Sequence, residues 1–176
     1  MTATRFVLAA ALAIAATPAF AMDLKSTDVA QGTQFPVNEI CARYGGGDVS
    51  PALTWSGVPP SAKSVAITMF DPDAGGGGWW HWLVVDIPAS ATGLPQGAGS
   101  GKLPDGARHL DNSNGNPRYH GPCPPAGSGV HHYHITLWAL GDAKAPLDAG
   151  AAPADAGAWL KQHAIAQAEL TPVYQK

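Results

Sequence analysis

The chain has 176 residues, of which only 13% are charged; 10 Lys or Arg stand against 13 Asp or Glu, a formal net charge of −3. There is no run of basic residues, so the chain lacks the electrostatic footprint of a nucleic-acid binder. With 21 Gly and 16 Pro it is rich in turns and loops, and a helical bundle is excluded.

Residues 1–21 read as an export leader. Arg5 supplies the positive end, Phe6 to Ala16 is a nearly unbroken apolar run, and Ala19-Phe20-Ala21 is a small-x-small cleavage site. The run falls short of the roughly 20 residues a membrane helix needs; an uncleaved anchor is the alternative. The expectation is cleavage after Ala21, a periplasmic or secreted product, and no stable membrane span once the leader is gone. Residues 22–176 then form one domain, long enough to close a core. Cys41 and Cys123 are the only cysteines. In an exported chain they suggest a disulfide, worth roughly 4 kcal/mol at most by loop closure. Two free buried thiols are the alternative.

In chain order, Leu24-Lys25-Ser26 and Thr33-Gln34-Phe35-Pro36 predict a short opening strand and an edge segment. Tyr44 to Pro51 is a glycine-rich loop. Leu53-Thr54-Trp55 is a short strand that Gly57-Val58-Pro59-Pro60 ends. Ser64 to Phe70 alternates Val65, Ile67 and Met69 with Ala66, Thr68 and Phe70; both faces are largely apolar, which predicts a central strand. In Trp80 to Ile87, simple alternation puts His81, Leu83, Val85 and Ile87 on one face and Trp80, Trp82 and Val84 on the other. Residues 88–118 are poor in apolar groups, and so long a stretch is either functional or an insertion packed by its own side chains.

His131 to Leu140 alternates most clearly, with His131, Tyr133, Ile135 and Leu137 opposite His132, His134, Thr136 and Trp138. A helix is predicted over Ala154 to Leu170, with Pro153 in its first turn and a stripe of Trp159, His163, Ala166 and Leu170 to cover a sheet. The fold class is mostly β, antiparallel, with that helix packed outside.

Asp71 closes one strand and His81 opens the next. If the two pair as a hairpin, both side chains emerge at one end of the sheet, where His131 and Tyr133 begin a third strand. Such a group offers phenol and imidazole donors and a carboxylate to orient them, and protonated imidazole is a good phosphate partner. Each residue also has an ordinary role. Asp71 can cap a turn before Pro72. His81 can be a satisfied core histidine and Tyr133 a half-buried strand aromatic. Trp79, Trp80 and Trp82 can be core and cover.

Four segments together are more specific: Asp71-Pro72-Asp73-Ala74-Gly75, Trp79-Trp80-His81, Gly121-Pro122-Cys123-Pro124-Pro125 and Gly129-Val130-His131-His132-Tyr133. In order and framing they resemble the phosphatidylethanolamine-binding protein (PEBP) family, in its bacterial YbhB/YbcL-type, Raf kinase inhibitor-like branch. The tail Ala168 to Tyr174 is similar as well. The resemblance implies a PEBP-like antiparallel β-sandwich with a C-terminal helix on the outside.

It also implies a small anion pocket for a phosphate-bearing group, either a phospholipid head group or a phosphorylated residue. Asp71, His81, His131, Tyr133, Gly121 and Pro122 would bind the ligand, and Asp73, Gly75 and Trp80 would shape the pocket. No cofactor or catalytic residue is implied, and a protein target of inhibition, a kinase or protease, is a further possible partner. Two positions depart from the family pattern. Gly75 stands where proline is usual, and His132 stands where arginine is usual, which removes a permanent charge and a bidentate fork.

The leading expectation is therefore a non-enzymatic binding protein. The competing one is a zinc-dependent hydrolase built from His131, His132 and His134 with His81, His120 and two aspartates. Strand alternation works against it by sending His132 and His134 away from His131, and no HExxH signature exists. A serine nucleophile has even less support. There is no G-x-S-x-G elbow, and Ser128, in Gly127-Ser128-Gly129, reads as pocket rim.

Overall fold

The structure is a computed structural model and describes residues 21–176. The expected leader, residues 1–21, lies outside the described residues except for Ala21. The strands in chain order are β1 (Asp23–Lys25), β2 (Leu53–Ser56), β3 (Ser64–Asp71), β4 (Trp79–Pro88), β5 (Gly93–Leu94), β6 (Arg108–His109), β7 (His131–His132) and β8 (His134–Leu140). Helix α1 (Pro153–His163) follows, then β9 (Ala164–Leu170) and β10 (Val173–Tyr174). Among the described residues no helix is long and apolar enough to cross a membrane.

A five-stranded antiparallel sheet, ordered β6-β4-β3-β8-β9, is the frame. One face carries Val65, Ile67, Met69, Trp82, Val84, Ile87, Ile135 and Leu137, and packs on Leu24, Leu53, Trp55 and Leu94 of the small sheet β1-β2-β5. The other face carries Ala66, Leu83, Val85, Trp138 and Leu140, and packs on Ala156 and Leu160 of α1 with Leu110 and Ala145. β3 is covered on both sides, which is why both its faces are apolar. The expected antiparallel sandwich with an outer helix is what the chain forms.

Three local expectations need correction. The helix stops at His163, and Ala164–Leu170 is a strand paired with β8 in the register Ile135↔Leu170 to Leu140↔Ala164. Alanine favours helix, yet Ala164, Ala166 and Ala168 are half-buried while Ile165, Gln167 and Glu169 are exposed. This period of two, with the open hydrogen-bonding edge of β8, outweighs weak intrinsic propensity. The stripe from Trp159 to Leu170 is accordingly absent; the helix buries Ala156, Gly157 and Leu160 instead.

The strand expected over His131 to Leu140 breaks at Tyr133. There β7 peels away to pair with β10, and the Tyr133 amide donates to the Pro172 carbonyl at 2.9 Å. Residues 88–118 are a packed insertion that contributes β5, β6 and the buried Leu94, Ala98 and Leu110.

Simple alternation also fails in β4, at two irregularities. Between the pairs Met69↔Trp82 and Phe70↔Trp80 the β4 side has one extra residue, His81. Such a bulge turns the following side chains over. Leu83 and Val85 therefore face the helix, while His81 lies on the Asp71 side of the sheet. The second irregularity, between Val65↔Ile87 and Ile67↔Val84, holds Asp86 at φ 63. Its buried carboxylate accepts from Arg108 Nε at 2.8 Å and from the Ala145 amide at 2.7 Å, so the charge is paired and hydrogen-bonded.

The helix approaches the sheet closely at Gly157, where a Cβ would lie 2.1 Å from the Trp80 indole. Helix propensity alone makes Gly157→Ala stabilising by about 1 kcal/mol. The packing reverses the sign: we expect a loss of about 1–3 kcal/mol from overpacking, read as a fall of several degrees in Tm. A rise in Tm would show that the Trp80 contact yields.

Candidate functional site: a histidine and aspartate cleft

β3 ends at Asp71, whose side chain is 2% exposed. Its Oδ1 accepts the amides of Asp73 at 2.9 Å and Ala74 at 3.2 Å, so Asp71 does shape the turn before β4. Its Oδ2 lies 2.7 Å from His131 Nδ1, joining the end of β3 to the start of β7. His131 is itself buried, and its Nε2 lies 3.0 Å from Ser128 Oγ. One turn on, Asp73 Oδ2 accepts both the amide and Nδ1 of His132, each at 2.8 Å. Those hydrogen bonds hold the Asp73 carboxyl below its usual range.

His81 is placed by the bulge and held by the opposite wall. Its Nδ1 donates to the His120 carbonyl at 2.8 Å, and the His120 amide donates back to the His81 carbonyl at 3.0 Å. A carbonyl only accepts, so the hydrogen sits on Nδ1 and Nε2 is left as an acceptor. Burial drives the His81 pKa down to about 3, and the ring is neutral at ordinary pH. Burial also lowers the His120 pKa, partly offset by Asp48, whose Oδ1 is 3.4 Å from its ring.

The wall formed by residues 120–125 is fastened to the short 3-10 turn Ala42–Tyr44. A disulfide joins Cys41 to Cys123 with the Cα atoms 5.5 Å apart. The Cys41 amide donates to the Pro122 carbonyl at 3.1 Å, and Tyr44 Oη donates to the Pro124 carbonyl at 2.7 Å. Between these elements opens a cleft of about 480 Å³. It is lined by Arg43, Asp71, Asp73, Ala74, Gly75, Trp79, His81, His120, Cys123, Pro124, Pro125, Ser128 and His131.

Of the residues singled out in the sequence, Asp71, His81 and His131 share this cleft, with Asp73 and Gly75 at its lip. A Cβ at Gly75 would meet nothing within 4 Å, so no crowding demands glycine there. Tyr133 lies behind the cleft, fully buried, edge-on to His81 at 5.2 Å and to Phe35 at 5.4 Å. Its hydroxyl has no partner, and burial pushes its pKa far up.

Gly121 and Pro122 sit one layer back. The Gly121 amide donates to Asp48 Oδ1 at 2.7 Å, and a Cβ there would come 2.4 Å from the Glu39 carbonyl. Trp80 faces the helix side against Phe70, with ring centroids 4.5 Å apart; its neighbour Trp79 lines the cleft instead. Sequence reading missed Arg43 and named His120 only for the zinc alternative, whereas Ser128, read as pocket rim, does line the cleft. Arg43 follows a cysteine of the disulfide and His120 precedes Gly121, so the cysteine pairing was the signal that could have located both.

Two further histidines are spent on acidic partners. His132 pairs with Asp73, and His134 Nδ1 lies 2.8 Å from Glu169 Oε1. Among the described residues no three His, Cys, Asp or Glu side chains are grouped to hold a metal ion, and the zinc arrangement expected as the alternative does not assemble.

A family model described as phosphatidylethanolamine-binding protein matches residues 25–175. The chain belongs to the phosphatidylethanolamine-binding protein family. It is 45% identical to YbcL of Escherichia coli (strain K12) over 163 residues, 89% of each chain. With YbhB of the same organism it is 39% identical over 158 residues, 87% of this chain and 99% of that one. LppC of Mycobacterium tuberculosis, named as a lipoprotein, is 40% identical over 167 residues, 92% of this chain and 77% of the relative. The crystal structure of Escherichia coli YbcL, described as a new member of the mammalian PEBP family, superposes with a TM-score of 0.84 at 43% identity, covering 88% of this chain and 98% of that one. The bacterial YbcL and YbhB resemblance read from four motifs thus extends over nearly all of this PEBP domain.

A second buried acid stands behind the cleft wall of this PEBP domain. Glu39 is 1% exposed, its Oε2 has no partner, and burial reinforced by Asp28 raises its pKa from 4.5 to about 7. The folded state therefore holds more protons than the unfolded between about pH 4.5 and 7, and Glu39 costs stability as pH rises through 7. His81 acts oppositely. Its lowered pKa makes the unfolded state the better proton binder between about 3 and 6.5, so stability is lost as pH falls. Glu39→Gln should match the parent near about pH 4 and exceed it by about 1–3 kcal/mol above about pH 8 in denaturant titrations. An equal difference at both pH values would contradict a titrating Glu39.

Proposed function

We propose that the cleft binds a phosphate-bearing group, as a singly charged anion that brings one hydrogen of its own. The observation that supports this reading is the pairing of a neutral His81 acceptor with the Asp71–His131 hydrogen bond in a cleft whose permanent cation is Arg43. The sequence-based expectation of imidazole donors needs adjusting for His81, because its Nε2 offers a lone pair. A phosphomonoester monoanion complements this set. Its P–OH donates to His81 Nε2, its charged oxygens accept from Arg43, and Asp71 and Asp73 discourage a second negative charge. Tyr133 Oη, buried without a partner, is a donor that a ligand reaching the floor would satisfy.

The family description, phosphatidylethanolamine-binding protein, agrees with a phosphorylated ligand. A location outside the cytoplasm accompanies the reading. It is supported by the disulfide, by the lipoprotein name of the LppC relative and by the leader pattern of residues 1–21.

Calorimetric titration with phosphoethanolamine tests the reading. The second pKa of a phosphate ester is about 6, so affinity at about pH 5.5 should exceed that at about pH 7.5 by about tenfold or more. Arg43 is exposed, so Arg43→Ala should fold normally and weaken binding by about tenfold. No heat at either pH would remove the anion site; equal affinity at both would remove the monoanion and the role of His81.

A further inference from the structure

We propose that Ser128, His131 and Asp71 form a nucleophilic triad, with Ser128 Oγ able to attack a carboxylic or phosphonic ester held in the cleft. This goes beyond the binding reading, whose cleft it shares. The distances are Ser128 Oγ to His131 Nε2 3.0 Å and His131 Nδ1 to Asp71 Oδ2 2.7 Å. Asp71 and His131 are 2% and 3% exposed, whereas Ser128 is exposed on the rim. An acid and a base buried behind an accessible hydroxyl are what nucleophilic catalysis requires, and such triads are recognised by geometry, whatever the order in the chain.

The Asp71 carboxylate is fixed by two backbone amides through Oδ1, so Oδ2 orients the imidazole and keeps its hydrogen on Nδ1. Nε2 then faces the serine. Ser128 Oγ also donates to the Pro125 carbonyl at 2.8 Å. The hydroxyl has one hydrogen, and rotation about Cβ–Oγ moves it between that carbonyl and His131. Gly127 and Gly129 flank the serine at φ 79 and 93, conformations that favour glycine and that present Ser128 on a tight turn. The Arg43 guanidinium lines the same cleft and supplies positive charge for a developing oxyanion.

In the reaction Ser128 Oγ bonds to the acyl carbon or phosphorus as its proton passes to His131 Nε2. The bond to the leaving group breaks, and His131 returns the proton to the departing alkoxide or fluoride. Water then attacks the acyl-serine, giving its proton to His131, and releases the acid with the serine reprotonated. Asp71 is the positioning residue throughout and keeps its charge.

The full chain is treated with ethyl methylphosphonofluoridate and followed by intact mass and peptide mapping. We expect one ethyl methylphosphonyl group on Ser128, none on the chain unfolded in guanidinium chloride, and none on Ser128→Ala. His131→Gln should slow labelling by at least about 100-fold. Because that variant removes a buried partner, the unfolded parent serves as the second control for activation of the serine. Absence of an adduct on the folded parent, an adduct on another residue, or equal labelling of folded and unfolded chain would overturn the triad. Phosphoethanolamine binding without labelling sinks the triad and leaves the anion site; labelling without that binding does the reverse.

Discussion

One carboxylate joins two parts of the chain that are sixty residues apart in sequence. Asp71 turns the end of β3 with one oxygen and fixes the first side chain of β7 with the other, and everything that gives the cleft its chemistry follows from that bridge. Buried and shared in this way, the charge is matched by an imidazole and two amides, so it does not stand unpaired in an apolar setting. If the carboxylate were lost, His131 would lose its orientation and the turn its template together. Asp73 repeats the arrangement one layer out, where His132 donates through both its amide and its ring.

The rest of the molecule holds the opposite wall at the correct distance from that bridge. β3 is clamped between β4 and β8 and covered on both faces, so its end cannot drift. His81 comes to the same place through an irregularity in β4, and the 120–125 wall is anchored to it by two hydrogen bonds, one donated by its ring and one accepted by its carbonyl. The small sheet and the helix contribute no side chain to the cleft; their work is to bury the two faces of the frame. The cleft is therefore a property of strand ends and connections on a rigid support, the usual division of labour between scaffold and site.

How much of this was readable in the residues depended on the kind of signal. β3 and the body of β8 announced themselves as apolar runs, because strands covered on both faces are apolar throughout. Asp71 was placed correctly because it continues the phase of Val65, Ile67 and Met69. His81 was expected beside Asp71 and shares its cleft, though through an incorrect phase: alternation grouped it with Leu83 and Val85, which face the helix, and the bulge that separates them leaves no mark in a run of apolar residues. The same blindness exchanged Trp80 for Trp79. The helix was overextended because alanine is compatible with both states, and only the neighbouring edge of β8 decides between them. Ser128 was read as pocket rim and lies there; its link through His131 to Asp71 arises only once the sheet has formed.

The bond between Cys41 and Cys123 has a bearing on how the protein matures. It crosses 82 residues and ties the mouth of the cleft, but neither large hydrophobic cluster includes Cys123. The layered frame can thus condense before the thiols oxidise, with the mouth held only by the Cys41–Pro122 and Tyr44–Pro124 contacts. The covalent bond thus secures the entrance of the cleft and leaves the layered frame to its own packing. Chain produced under reducing conditions would resemble the finished protein in overall secondary structure while presenting a looser doorway to whatever it receives.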